Sequence, residues 1–519
     1  MPEEPSKPPI GATGATGATG AAASASGSVP VGEVTKRAAR NVAAASIAEL
    51  VGKAGTFLFV VIGARALSKS DFGAFSLALA AATLLAAIPQ WGFDSIIVRD
   101  GSQDPDQLPQ LVAEAWVWRL GLSVPVVVGA GIFGALTNRD AAASVAFVLV
   151  VLAVVIDTLS QTWRSAAVAR QDYRGVAIAK VTQRIATAML GAGAAWLGLE
   201  LLGFSSAFLI GSVIGTLGSF LAVRALHVRA AFGRVTRQGL ARMGRSSALI
   251  GLDGVFAIAV LRLDAVLLGW MKGDSAVAVY AVSTRLLETV LFLAWAVVSG
   301  LMPVMSAPGA TWRVRLAIQR GMTVVAAVYV PFMVVMIVAG GQVVGLLFGA
   351  RYEGPSTDVV AWLAPAPLFI AFGNLASSAL VARYRAGLVV GGSVAAFVVN
   401  LGLNVALIPV LGPTGSAIAT TAAYLVEGIV LFVMCSRVIG APRVDQALAV
   451  PAVAGAAMAL AMVITPGGLI AQLVTGGLVF GLGWLGLSRR FAPEGVAVVM
   501  SFLRRAPTDM TVPSTVDDV

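Results

Sequence analysis

From Asn41 onward the chain is a succession of apolar runs about 20 residues long, separated by short polar turns. About 20 apolar residues are what an α-helix needs to cross ~30 Å of hydrocarbon. A helix also satisfies its own backbone hydrogen bonds, which a bilayer interior demands. The runs fall at 43–66, 73–97, 111–135, 142–163, 176–199, 201–224, 246–270, 276–303, 318–341, 358–381, 386–410, 413–436, 446–465 and 468–488. They predict an all-α polytopic membrane protein with about 14 transmembrane helices. Composition agrees: 58% of residues are hydrophobic and 12% charged, where a soluble globule carries about a quarter charged. Pro125, Pro303, Pro331, Pro365 and Pro367 fall inside runs, where neighbouring helices can re-satisfy the backbone groups that proline frees.

The net charge of +10 needs no nucleic-acid partner, because an integral membrane protein collects Lys and Arg in its cytoplasmic loops. The alternate loops divide sharply, with about 24 Lys and Arg on one side and about 4 (Lys69, Arg139, Lys272, Arg351) on the other. That asymmetry predicts an even helix count with both termini cytoplasmic. Residues 1–40, with GATGATGATG and few large apolar side chains, read as a disordered cytoplasmic tail without a signal-peptide pattern. The longest basic loop follows the sixth run, where a linker between two halves belongs. The expected organisation is therefore an N-lobe at 41–225 (helices 1–6), a basic cytoplasmic linker at 226–245 and a C-lobe at 246–437 (helices 7–12). Helices 13–14 follow at 438–490 and a cytoplasmic tail at 491–519. If helix seven repeats helix one, the lobes are parallel, pseudo-symmetric repeats about an axis along the membrane normal.

Enzyme chemistry finds little support. Cys435 and His227 are the only residues of their kinds, so there is no disulfide, no cysteine metal site, no HExxH and no catalytic triad. No P-loop is present, and Gly129, Gly131 and Gly134 match G-x-G-x-x-G inside an apolar run with no preceding strand, so the dinucleotide context fails. Neither a catalytic residue, a metal ligand set nor a cofactor is expected. Gly211/Gly215 and Gly477/Gly481 are G-x-x-x-G spacings, expected to mark close helix packing.

Charges within the runs are costly in lipid and mark a wet cavity or an internal pair. The stretch Leu261–Glu288 places Arg262, Asp264, Arg285 and Glu288 in two apolar segments joined at Met271–Asp274, and Gly63–Ala78 echoes that layout. Lys180 and Arg184 share one face of helix five, roughly 6 to 12 Å from its cytoplasmic start. They can form a cationic wall for a phosphate, snorkel to the interface, or pair with Glu114 or Asp157. Arg119 lies at similar depth on helix three. Glu49 and Lys53 at i,i+4 can satisfy each other, and Arg65 can snorkel. On helix seven Asp253 and Asp264 lie on one face while Arg262 points away from Asp264. Asp264 can pair with Arg285 across to helix eight, where Arg285 and Glu288 share a face. Asp253, Asp264, Glu288, Glu49 and Glu427 are the acids that could couple transport to an ion gradient or serve as structural partners.

ARALSKSDFGAFSLA, WGFDSIIVRD, LDAVLLGWMKGDSAVAVYAVSTRLLE and NLGLNVALIPVLGPTGSAIATTAAYLVEG resemble polysaccharide flippases of the multidrug/oligosaccharidyl-lipid/polysaccharide exporter superfamily. The resemblance spans about residues 41–490. It implies a V-shaped pair of six-helix lobes in the bacterial cytoplasmic membrane, moving undecaprenyl-diphosphate-linked oligosaccharide outward by alternating access for cell-surface polysaccharide biosynthesis. It implies cavity cations that hold the diphosphate, for which Lys180, Arg184, Arg119 and Arg285 have suitable depth, with Lys53 as a further candidate. Expected partners are the lipid-linked saccharide, membrane lipids, and a polysaccharide polymerase and glycosyltransferases of the same pathway. The two additional C-terminal helices also resemble the peptidoglycan-precursor flippases, which stay open as an alternative. An ion-coupled multidrug antiporter would favour a cavity of acids and aromatics for cationic drugs, and a glycosyltransferase would need acidic loops.

Overall fold

The computed structural model describes residues 51–136, 140–306 and 311–491, and every regular element among them is a helix. The expected N-terminal tail, nearly all of the expected C-terminal tail, Glu49 and Arg139 lie outside the described residues. In the first half α1 covers residues 51–66, followed by α2 (Lys69–Gln90), α3 (Phe93–Gln103), α4 (Leu108–Leu136), α5 (Ala141–Ala169), α6 (Arg174–Trp196) and α7 (Glu200–Ala225). In the second half come α8 (Arg237–Lys272), α9 (Asp274–Val290), α10 (Phe292–Ser306), α11 (Thr311–Phe348), α12 (Glu353–Leu363), α13 (Ala366–Ala382), α14 (Ala386–Leu411) and α15 (Pro413–Ile439). Two more, α16 (Val444–Ile464) and α17 (Leu469–Phe491), close the chain.

The fourteen expected crossings map onto these helices, three of them broken in two. The first break, α2/α3, comes at Trp91 and Gly92, both left-handed at φ 33 and 70. Glycine is required at the second of these, since a Cβ would also press to 2.8 Å from Ile250. The second, α9/α10, has no proline or glycine; the Tyr329 hydroxyl inserts instead, donating to the Val290 carbonyl at 2.8 Å and accepting from the Ala294 amide at 3.1 Å. It thereby replaces the backbone bond those two residues would make, a recognised cause of a kink. The third, α12/α13, falls at Pro365, which caps α13 with Pro367 in its opening turn. These two prolines start a helix rather than interrupt one. Eleven described stretches are long and apolar enough to cross a membrane. The other three expected crossings coincide with 51–66, α6 and α8, the last two carrying Lys180, Arg184, Arg262 and Asp264 within their apolar parts. Helix α8 begins at Arg237, so the second half of the expected linker belongs to its first turns.

Within the N-lobe, Phe59 stacks on Phe204 at 4.1 Å with Phe75 edge-on at 5.1 Å. Gly63 and Gly191 lie so close to these rings that no Cβ fits. Gly211 and Gly215 pack α7 on Thr187 and Gln183 of α6, whereas among the described residues nothing approaches Gly477 or Gly481, so of these two pairs the first is a close packing site there. The C-lobe core gathers α10, α11, α13 and α15 and takes in Met458 and Met462 of α16 and Trp484 of α17.

The lobes close on each other at the charge-poor end, which carries Ser68, Gly273 and Arg351. There α2 packs on α8 and α9: Gly73 leaves no room for a Cβ beside the Asp274 carbonyl, nor Gly269 beside Leu77. Two arginines clasp the seam reciprocally. Arg65, ending α1, donates from Nε to the Leu347 carbonyl at 2.8 Å and from Nη2 to the Leu346 carbonyl. Arg351, following α11, donates to the Leu67 carbonyl at 2.6 Å and to that of Ala64. Each cation thus satisfies the open carbonyls at the other lobe's helix end, where the helix dipole favours positive charge.

Candidate functional site

Toward the opposite, basic end, the seam parts into a cavity of about 320 Å³. Lys53, Thr56 and Phe57 of α1, Lys180 and Arg184 of α6, Arg285, Glu288 and Thr289 of α9, and Trp295 of α10 line it. Local sequence explains the approach: Gly52 and Gly55 let α6 lie directly on α1, a Cβ on Gly55 standing 3.1 Å from that of Arg184. Lys53 lies over the Phe292 ring with Nζ 5.7 Å from its centroid. Among the described residues that line it, four cationic side chains face one carboxylate, an excess of positive charge whose field low-dielectric walls strengthen. Trp295 is 63% exposed, presenting an aromatic face beside the cations.

The structure therefore brings Lys53, Lys180, Arg184 and Arg285 together from both lobes. It places Arg119 elsewhere. That guanidinium is fully buried, 2.8 Å from the Asp94 carboxylate, and donates to Thr162 Oγ1 at 2.7 Å and the Thr158 carbonyl at 3.1 Å. Ser165 also donates to Asp94 at 2.6 Å, so Arg119 ties α3, α4 and α5 into one brace rather than facing the vestibule. Of the acids that could have answered Lys180 and Arg184, Glu114 accepts from Gln110 at 2.8 Å. Asp157 is engaged by Arg164 at 3.1 Å and Gln183 at 3.0 Å, within electrostatic reach of Arg184.

In the C-lobe, Glu288 lies between two guanidinium groups, 2.9 Å from Arg262 and 2.7 Å from Arg285. Asp264 does not take Arg285; it accepts from the Tyr280 hydroxyl and, at 2.9 Å, from Thr420. Buried beside Thr420 is Asn400, whose Oδ1 has no hydrogen-bond partner. Asp253 and Glu427 meet at one hydroxyl, Ser393 Oγ, at 2.7 and 3.4 Å. Among the described residues no group of three or more His, Cys, Asp or Glu could hold a metal ion.

Sequence reasoning singled out Arg262 as a charge of a cavity or an internal pair without naming Glu288 as its partner, and it missed three contributors. Trp295 carried no signal beyond its type. Thr420 was hidden because a threonine hydroxyl within a helix usually bonds its own backbone, and Tyr280 because the acid its hydroxyl meets lies on another helix. One pattern was available: Thr420, Tyr424 and Glu427 recur at i, i+4, i+7, a single helical face.

Two helical lobes, shut at one end over a cationic vestibule, define a multi-pass membrane protein of transporter architecture. The chain belongs to the polysaccharide biosynthesis protein family, whose model matches residues 38–307. It is 28% identical over 180 residues to the probable flippase AglR of Haloferax volcanii, a match covering 33% of this chain and 36% of that protein. The aligned part is thus about a third of the relative's length. In fold it is similar to the lipid II flippase MurJ in an inward closed conformation, with TM-score 0.72, 12% identity, and 86% of this chain and 99% of that one covered. An inward-facing MATE family transporter of the MOP superfamily follows at TM-score 0.61 and 16% identity, covering 75% and 94%. A MOP superfamily transporter from Pyrococcus furiosus, described by the reverse polarity of its binding pocket, gives 0.58 and 15%, covering 77% and 95%. At such identities the likeness is one of fold.

Proposed function

We propose that this protein is a flippase that carries an undecaprenyl-diphosphate-linked oligosaccharide from the cytoplasmic to the outer leaflet of a bacterial inner membrane by alternating access. The observation that carries it is the convergence of Lys53, Lys180, Arg184 and Arg285 from two lobes on one cavity. A diphosphate offers several anionic acceptors to these donors, in the charge-assisted bonds that are strongest where water is scarce. The loop charges assign the basic end to the cytoplasm, so the vestibule opens to the side where lipid-linked sugars are assembled. Polymerase and glycosyltransferases would stand after and before it in the same pathway. A cavity with this excess of cations suits an anion better than the cationic drugs of a multidrug antiporter. The peptidoglycan precursor shares the diphosphate and is separated only by its sugar. Asp264, with Thr420 and the unpartnered Asn400 oxygen beside it, is the acid we assign to ion coupling, ahead of Asp253, Glu427 and Glu49.

The test is flipping of fluorescent undecaprenyl-diphosphate oligosaccharide by the full chain in proteoliposomes, with lipid II as the second substrate. Each lost charge-assisted contact costs roughly 1.5–3 kcal/mol, or about tenfold or more. K180A/R184A is therefore expected to lower the rate at least tenfold while protein yield stays unchanged. Unchanged flipping in that variant removes the proposal, and preference for lipid II reassigns the substrate. Imposed sodium or proton gradients should accelerate the wild type and leave D264N unaffected; equal acceleration of both excludes Asp264.

A further inference from the structure

The seam holds a second, smaller cavity on the charge-poor side of the vestibule, of about 40 Å³, between Val60 of α1, Phe72 and Phe75 of α2, Arg262 of α8 and Thr284 of α9. Arg285 borders both spaces. Of the Arg262–Glu288–Arg285 triplet, Arg262 lines the smaller space, Glu288 the larger and Arg285 both.

Within the triplet one carboxylate answers two guanidinium groups, at 2.9 and 2.7 Å, while Asp264 acts on Arg262 electrostatically without contacting it, and Arg262 Nε is buried with no hydrogen-bond partner. Arginine presents five N–H donors in a planar fork matched to carboxylate and phosphate alike. A single Glu oxygen per arginine leaves most of that fork unused. A phosphate brings more acceptors and more charge to the same donors and would displace the carboxylate from either arginine. Because Glu288 can stay on one guanidinium while the other takes the phosphate, no step leaves a buried charge without a partner, the situation that costs most.

We propose that Arg262 is a second phosphate-binding station, masked by Glu288 while the charge-poor end is shut, and taken up by the diphosphate as it passes Arg285. Glu288 is then the exchanging counter-anion, on Arg262 when Arg285 holds phosphate and on Arg285 when Arg262 does. Passage through the closed half of the seam becomes a transfer between two arginines rather than a jump from a polar vestibule to water. The proposal rests on the flippase reading above, so its test separates the two.

Inorganic pyrophosphate binding to the full chain in nanodiscs reports entry to the vestibule; flipping of fluorescent undecaprenyl-diphosphate oligosaccharide in proteoliposomes reports the whole path. R262Q leaves Glu288 only Arg285 to pair with, so it is expected to bind pyrophosphate a few-fold more weakly than wild type yet to lose more in flipping, at least tenfold. R262K keeps the charge without the fork and should fall between. E288Q removes the competing anion and should bind pyrophosphate about tenfold more tightly. Wild-type flipping by R262Q, or weaker pyrophosphate binding by E288Q, overturns the station while leaving the vestibule assignment intact. If the wild type neither binds pyrophosphate nor flips the lipid, the flippase reading fails and the station fails with it. Should E288Q not fold, R262Q and R262K decide alone: equal rates in both and in wild type overturn it.

Discussion

Arg119 and Lys180 look alike in sequence, each a cation a few turns into an apolar run, and the structure gives them opposite surroundings. Arg119 is buried against Asp94, Thr158 and Thr162; Lys180 borders the open vestibule. Depth along a helix is legible from 1.5 Å per residue, but rotation toward or away from a neighbour is not, because it depends on which helices pack beside it. The difference has a measurable consequence. Truncating one partner of a buried ion pair strands the other and costs about 3–5 kcal/mol, and the partial exposure of Asp94, 34%, places this case at or below the lower end. R119A should therefore lower the thermal midpoint in detergent by several degrees, and D94A/R119A by less than the sum of the single variants. K180A should leave the midpoint within about a degree or two. A stability loss for K180A equal to that for R119A would contradict this division of roles.

Elements were legible where the bilayer dictates them. Apolar runs follow from the thickness of hydrocarbon, and eleven of the fourteen coincide with described helical stretches long and apolar enough to cross. The break at Leu291 was not legible, since its cause, the Tyr329 hydroxyl between Val290 and Ala294, comes from a helix far along the chain. Nor was the arginine clasp, because its acceptors are backbone carbonyls and carry no side-chain signature. Arg65 was expected to snorkel; instead it caps α11 of the other lobe, as Arg351 caps α1. A charge-assisted hydrogen bond contributes about 1.5–3 kcal/mol where it is sheltered, less where water competes. Losing both arginines should therefore shift the lobes toward opening at the charge-poor end by at least tenfold. A cysteine at Ser76, on the wall of the smaller cavity, in a C435A background, reads that shift through a membrane-impermeant maleimide. Labelling of S76C should quicken at least tenfold when R65A and R351A are added. An unchanged rate would mean that the packing of Gly73 on Asp274 and Gly269 on Leu77 holds the seam alone.

At the scale of the molecule, the proposed topology and the proposed direction of transport rest on one asymmetry. About 24 Lys and Arg stand in one set of alternate loops and about 4 in the other, and insertion retains positive loops on the cytoplasmic side. The seam is shut at the charge-poor end and open at the basic end, so on the proposed orientation this is an inward-facing state. Breaks recur at the second crossing of each lobe, α2/α3 and α9/α10, as expected if α8 restarts the plan of α1 with the same orientation. Reporter fusions test this directly. Alkaline phosphatase joined after Gly273, between α8 and α9, should be active, because it is exported. Joined after Gly440, between α15 and α16, it should be inactive, while green fluorescent protein at that point should fluoresce. The reverse pattern would place the vestibule on the outer side and turn an exporter into an importer. Phosphatase activity at both points would mean an even number of crossings between them, where the arrangement above has five, and would break the parallel-repeat arrangement. Only the expected pattern would let the proposed diphosphate cargo meet Lys53, Lys180, Arg184 and Arg285 from the compartment where it is made.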